Sequence, residues 1–116
     1  MPKEYMMDSP QQLVDQLIAI FPEFVKELDE GELFGYKGKY NYHSVFQEFA
    51  PVSHRMLNGS TTSQIKEFCK IINFMVETGG DLENAVSTCF LEHASQVGVR
   101  KIIALYLSKE AKQELR

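Results

Sequence analysis

Between Ser60 and Thr78 the apolar residues Ile65, Phe68/Cys69, Ile72 and Met75/Val76 recur at steps of three and four. Ile71 and Phe74 widen that stripe until only Lys66, Lys70, Asn73 and Glu77 are left as a polar edge. A helix apolar over so much of its circumference has to be wrapped by other elements, so this segment belongs at the centre of a domain and the rest of the chain must cover it.

The remaining segments carry the same helical spacing. Ser9-Pro10-Gln11-Gln12 reads as a helix start, with an N-cap serine, proline at the first helical position and glutamine at the capping-box position. Leu13, Leu17, Ile20/Phe21, Phe24 and Leu28 follow as one stripe, and Pro22 predicts a break near Phe21, with a second short helix from Pro22, because an interior proline costs a helix about 3 kcal/mol. Val45, Phe49, Val52 and Met56 predict a helix over 44–57, bent or divided at Pro51 and stopped by Asn58-Gly59. After Gly79-Gly80, Asp81 is the expected N-cap of a helix lined by Leu82, Val86, Cys89/Phe90, His93 and Val97, which Gly98 ends. Val99, Ile102/Ile103 and Tyr106 continue the pattern, and Ser108 caps a last amphipathic helix over 109–115. The expectation is an all-α, single-domain bundle of six or seven helices spanning 1–116, with a short β-hairpin or loop at 31–42.

A chain of 116 residues with 44% hydrophobic and 24% charged residues can bury a core without staples. Residues 1–8 lack the apolar core and cleavage site of a secretory signal, and the longest apolar runs are too short to cross a bilayer, so a cytoplasmic location with no membrane partner is expected. Cys69 and Cys89 sit on apolar stripes, where a reduced thiol behaves as a small hydrophobe, and no structural disulfide is expected.

The net charge of −4 is unevenly spread. Glu23, Glu27, Asp29, Glu30 and Glu32 stand against Lys26 alone, whereas beyond Val99 the basic residues Arg100, Lys101, Lys109, Lys112 and Arg116 outnumber Glu110 and Glu114. An acidic surface repels phosphate backbones and speeds encounters with basic proteins, which argues against direct nucleic-acid binding. A helix-turn-helix fails the same test, since the helix after Gly79-Gly80 carries Glu83 and Glu92 and no basic residue.

No catalytic or metal signature stands out. Cys89 and His93 are four apart, the spacing of two ligands on one helix face, but two ligands do not make a zinc site and both fall on the apolar stripe. His43 and His54 have the chemistry of an acid–base pair, yet no lysine or phosphate-binding glycine loop accompanies them, so surface histidines are expected. Neither a metal nor a cofactor is implied, and the chain reads as a binding protein rather than an enzyme.

The candidate binding surface is the segment from Glu30 to Tyr42. It sets Phe34, Tyr36, Tyr40 and Tyr42 almost symmetrically about Gly38, behind the acidic ridge of Glu23, Glu27, Asp29, Glu30 and Glu32. Rings of this kind anchor protein interfaces, and like charges at three- and four-residue spacing cost helix stability unless a partner uses them. The alternative is that the rings roof the helical core.

The segment from Asp81 to His93, DLENAVSTCFLEH, resembles a stretch of small helical bacterial proteins, some of which are encoded beside toxin genes. In size, acidity and helical character the chain is similar to immunity proteins of contact-dependent growth inhibition and related polymorphic toxin systems. The pattern covers residues 60–107. That resemblance implies a cytosolic antitoxin that neutralises a cognate toxin domain, commonly a nuclease, and carries over no site residues. The alternatives are a small regulatory or adaptor domain without a toxin partner, or a histidine-dependent hydrolase built on His43, His54 or His93.

Overall fold

The computed structural model describes residues 9–30 and 41–116, apart from the side chains of residues 28–30, and among these the chain forms seven α-helices and two 3-10 turns with no strand. Ser9 opens α1 (Pro10–Ile20) as its sequence predicts: its hydroxyl accepts from the Gln12 N–H at 3.4 Å, and proline fills the first turn, where no N–H is needed. The chain breaks at Phe21-Pro22-Glu23 and resumes as α2 (Phe24–Glu30), two residues later than proline alone suggests. Asn41 and Ser44 form a reciprocal capping box at the start of α3 (Tyr42–Asn58). Thr61 and Gln64 do the same for α4 (Thr62–Thr78), and Gln64 Nε2 also donates to the Ile20 carbonyl at 2.9 Å, so one side chain caps the start of α4 and the end of α1.

Three expectations are corrected. Pro51 does not divide α3, which runs unbroken for 17 residues; Pro51 is exposed, so the carbonyl it leaves without a donor lies on the solvent side. Asp81 is not a cap: Gly79, at φ +79°, ends α4 and begins α5 (Gly80–Cys89), and Asp81 lies inside the first turn. The helix expected to reach Val97 stops at Cys89. Phe90 leaves helical geometry at φ −133°, a 3-10 turn follows at Leu91–His93, and Gly98 closes the loop at φ +82°.

Beyond that loop come α6 (Arg100–Ile103), a 3-10 turn at Ala104–Tyr106 and α7 (Lys109–Glu114), capped by Ser108. Asn73 of α4 holds the junction before α7, accepting from the Ser108 N–H at 2.8 Å and donating to the Tyr106 carbonyl. The chain end is tied back as well: the Arg116 N–H donates to the Leu91 carbonyl at 3.0 Å, and its carbonyl accepts from the Ser95 N–H and hydroxyl.

α4 does sit at the centre, packed against α1, α5 and α7, and α3 lies along α5. Phe21, Phe24, Phe46, Phe49, Phe68 and Phe90 meet in one buried network of rings. Phe49 is its node, 5.2 Å from Phe24 edge to face, 5.3 Å from Phe68, 5.5 Å from Phe21 and 6.0 Å from Phe90. Each such pair adds about 1 kcal/mol to the burial of its rings.

Candidate functional site

The break at Pro22 shapes the acidic end. Phe21 closes α1 by donating its N–H to the Leu17 carbonyl at 2.7 Å, the chain turns through exposed Pro22 and Glu23, and Phe24 anchors α2 by burying its ring against Phe49. With Phe24 turned inward, α2 presents Val25 and Lys26 outward, and Val25 is 43% exposed. Val25 and Leu105 are the two large hydrophobic side chains exposed among the described residues. Beneath the turn lies a notch of about 210 Å³ lined by Phe21, Pro22, Glu23, Arg55, Met56 and Gln64.

Of the predicted binding residues, Glu23 is exposed at the rim of that notch, and Glu27 is half-buried with its carboxylate 2.6 Å from the Arg55 guanidinium of α3. The ridge is thus offset by Arg55 as well as by Lys26. Asp29 and Glu30 lie on α2 with side chains outside the description, and Glu32, Phe34, Tyr36 and Tyr40 lie outside the described residues altogether. Tyr42 is half-buried as the first residue of α3 and packs against the core. Sequence reasoning overlooked Val25 and Arg55. Val25 falls off the Phe21/Phe24/Leu28 stripe and was legible for that reason; Arg55 comes from another helix and was not.

The broken helix after Cys89 also regroups the histidines and cysteines. Cys89 and His93 do not share a helix face: His93 is exposed and its Nδ1 pairs with Gln96 Oε1 at 2.7 Å. Cys89 instead faces His43, whose Nδ1 is 3.3 Å from Sγ and whose Nε2 is 3.4 Å from Asn84 Nδ2. Burial pushes the Cys89 thiol above the usual range, a hydrogen bond with the Gln47 side chain pulls the other way, and the nearby Glu92 carboxylate pushes it further up. Cys69 is buried in the core, its thiol pushed up to about 12 by burial. His54 is exposed, as expected, with its ring against Gly98.

Two further surfaces flank these groups. A polar notch of about 200 Å³ is lined by Glu83, Asn84, Ser87, Thr88, Glu92 and Glu114, and the Ser87 hydroxyl inside it is buried without a hydrogen-bond partner. Elsewhere Arg100, Lys101 and Lys112 rim a shallow groove around Leu105, which is 76% exposed.

Residues 14–116 match the model of a family described as a domain of unknown function, DUF7674. No curated protein and no solved structure matches the chain. No helix among the described residues is long and apolar enough to cross a membrane.

Proposed function

The chain belongs to the DUF7674 family; we propose that it is a protein-binding domain that docks a basic partner on the α2 end, acting as an immunity protein that blocks a cognate nuclease toxin. One observation carries this reading. Val25 stands exposed on the short helix α2, flanked along the chain by Glu27 and by Glu23, which lines a notch of about 210 Å³. An exposed aliphatic side chain supplies the desolvated centre that an interface needs, and the neighbouring charge sets on-rate and partner choice. A nuclease must attract polyphosphate and is basic for that reason, which suits an acidic inhibitor. The resemblance to immunity proteins adds the toxin to the reading; the geometry alone supports a basic protein partner.

The test immobilises the full chain, captures partners from a lysate of its source at low and high salt, and repeats the capture with Glu23→Lys and Val25→Asp variants. The expected result is a basic protein that is lost as salt rises and lost with either variant, whose toxic domain becomes harmless on coexpression with this chain. Capture that neither variant changes would remove α2 from the interface. A captured basic protein without toxicity would leave the docking face and overturn the immunity role.

A further inference from the structure

The polar flank of α5 holds an arrangement that the docking reading does not use. We propose that Cys89 is a nucleophilic thiol, with His43 as its proton acceptor and Asn84 as the positioning residue, and that it exchanges with small disulfides bearing cationic ends. The reading stands independently of the α2 interface.

The geometry supplies the three roles in order. His43 Nδ1 is 3.3 Å from Cys89 Sγ, and Asn84 meets the other ring nitrogen at 3.4 Å. Asn84 Oδ1 in turn accepts from the Thr88 hydroxyl at 3.3 Å. A half-turn of the Asn84 carboxamide exchanges its two heads at little steric cost. With the oxygen toward Nε2, the imidazole carries its proton there and offers the Nδ1 lone pair to the thiol, which is the tautomer a base requires. The thiol is half-buried and the ring beside it is half-buried too, so the pair is reachable from solvent yet held in place.

The environment selects the chemistry. Cys89 is the last residue of α5, where unpaired carbonyls give the negative end of the helix dipole, and Glu92 lies close by. Both disfavour a resident thiolate, so the proton has to move to His43 as the sulfur attacks. They equally disfavour the oxyanion of acyl transfer. Disulfide exchange creates no oxyanion, because charge passes along three sulfurs in line. The proton goes from Sγ to His43 Nδ1, the sulfur attacks the near sulfur of R–S–S–R, and the S–S bond breaks. The leaving R–S⁻ takes the proton from the imidazolium. The products are the Cys89–S–S–R mixed disulfide and R–SH; Cys89 is oxidised, the released sulfur is reduced, and the incoming disulfide is the oxidant.

The preference for cationic ends follows from the notch one imidazole away. Asn84, Thr88 and Glu92 line it together with Glu83 and Glu114, and no basic residue does. Around the thiol itself Gln47 and His43 are joined by Glu92 as the charged neighbour.

The experiment incubates the full, reduced chain with cystamine or with oxidised glutathione and follows mixed-disulfide formation by intact mass and peptide mapping across pH. Labelling at Cys89 is expected, faster with cystamine. In a His43→Gln variant checked for native circular dichroism, the rate at neutral pH should fall about a hundredfold, the lower end of what a positioned base contributes, and the pH profile of the rate should change shape. Asn84→Asp changes an exposed side chain; its carboxylate should hold a proton on the imidazole and displace the pH profile of the rate to higher pH. Equal rates in wild type and His43→Gln, a pH profile unmoved by Asn84→Asp, labelling at Cys69, or faster reaction with oxidised glutathione would each overturn the assignment.

Discussion

The Arg55 guanidinium, which lines the notch beneath the Pro22 turn, meets the Glu27 carboxylate at 2.6 Å across the gap between α2 and α3. A cation from α3 thereby holds a carboxylate that is half-buried, whereas Glu23 nearby is exposed. With the arginine side chain 60% exposed, water and salt screen most of the attraction, so the pair orients the α2 side chain more than it stabilises the fold.

Arg55→Ala should therefore lower stability by no more than about 1 kcal/mol in urea denaturation. Because it leaves Glu27 uncompensated, it should raise the association rate with a basic partner and steepen its salt dependence, measured by stopped-flow mixing. A large loss of stability would mean that the pair is structural.

Phe49→Ala removes the ring that touches Phe21, Phe24, Phe68 and Phe90, and the cost should be about 3–5 kcal/mol. Phe49→Leu keeps most of the volume and should cost less than half of that. Thermal melts read by circular dichroism separate the two.

Gly98 adopts φ +82°, and a Cβ there would meet His54 Cδ2 at 3.2 Å. Gly98→Ala should cost about 1–2 kcal/mol from the left-handed backbone. Adding His54→Ala relieves the contact and not the backbone, so the double variant should recover only a minor part of the loss; full recovery would place the cost in the contact.

Glu83 and Glu114 share a hydrogen bond, which with burial and mutual repulsion raises the Glu83 carboxyl above its ordinary range. A carboxyl raised in the folded state binds its proton more tightly there than in the unfolded chain. Its contribution is therefore present below the ordinary glutamate range and is lost as pH rises through the raised value. Glu83→Gln should leave stability at acidic pH little changed and increase it at neutral pH, where the wild-type pair repels. Urea midpoints compared at pH 4 and pH 7 check this.

The helical architecture was legible because apolar spacing is a local signal: Ile65, Phe68, Ile72 and Met75 announce α4, and Ser9 and Ser108 each cap the helix that follows them. The break after Cys89 was not, since residues 81–97 contain neither glycine nor proline. Its cause is tertiary. An unbroken helix would use the Leu91 carbonyl and the Ser95 N–H internally, and here both are bonded to Arg116. Pro51 misled for the opposite reason, a strong local signal silenced by its position on the outer face of α3. Nor could spacing disclose that His43 faces Cys89, because 46 residues separate them and only the packing of α3 on α5 brings them together.

A helix of seven residues, such as α2, is too short to persist in water alone. Its shape is lent by Phe24 seated on Phe49, so any molecule that grips its outer side also presses on the seat beneath. Occupancy and melting temperature should then rise together, and loosening the phenylalanine nest should weaken capture at a distance from every residue the captured protein touches.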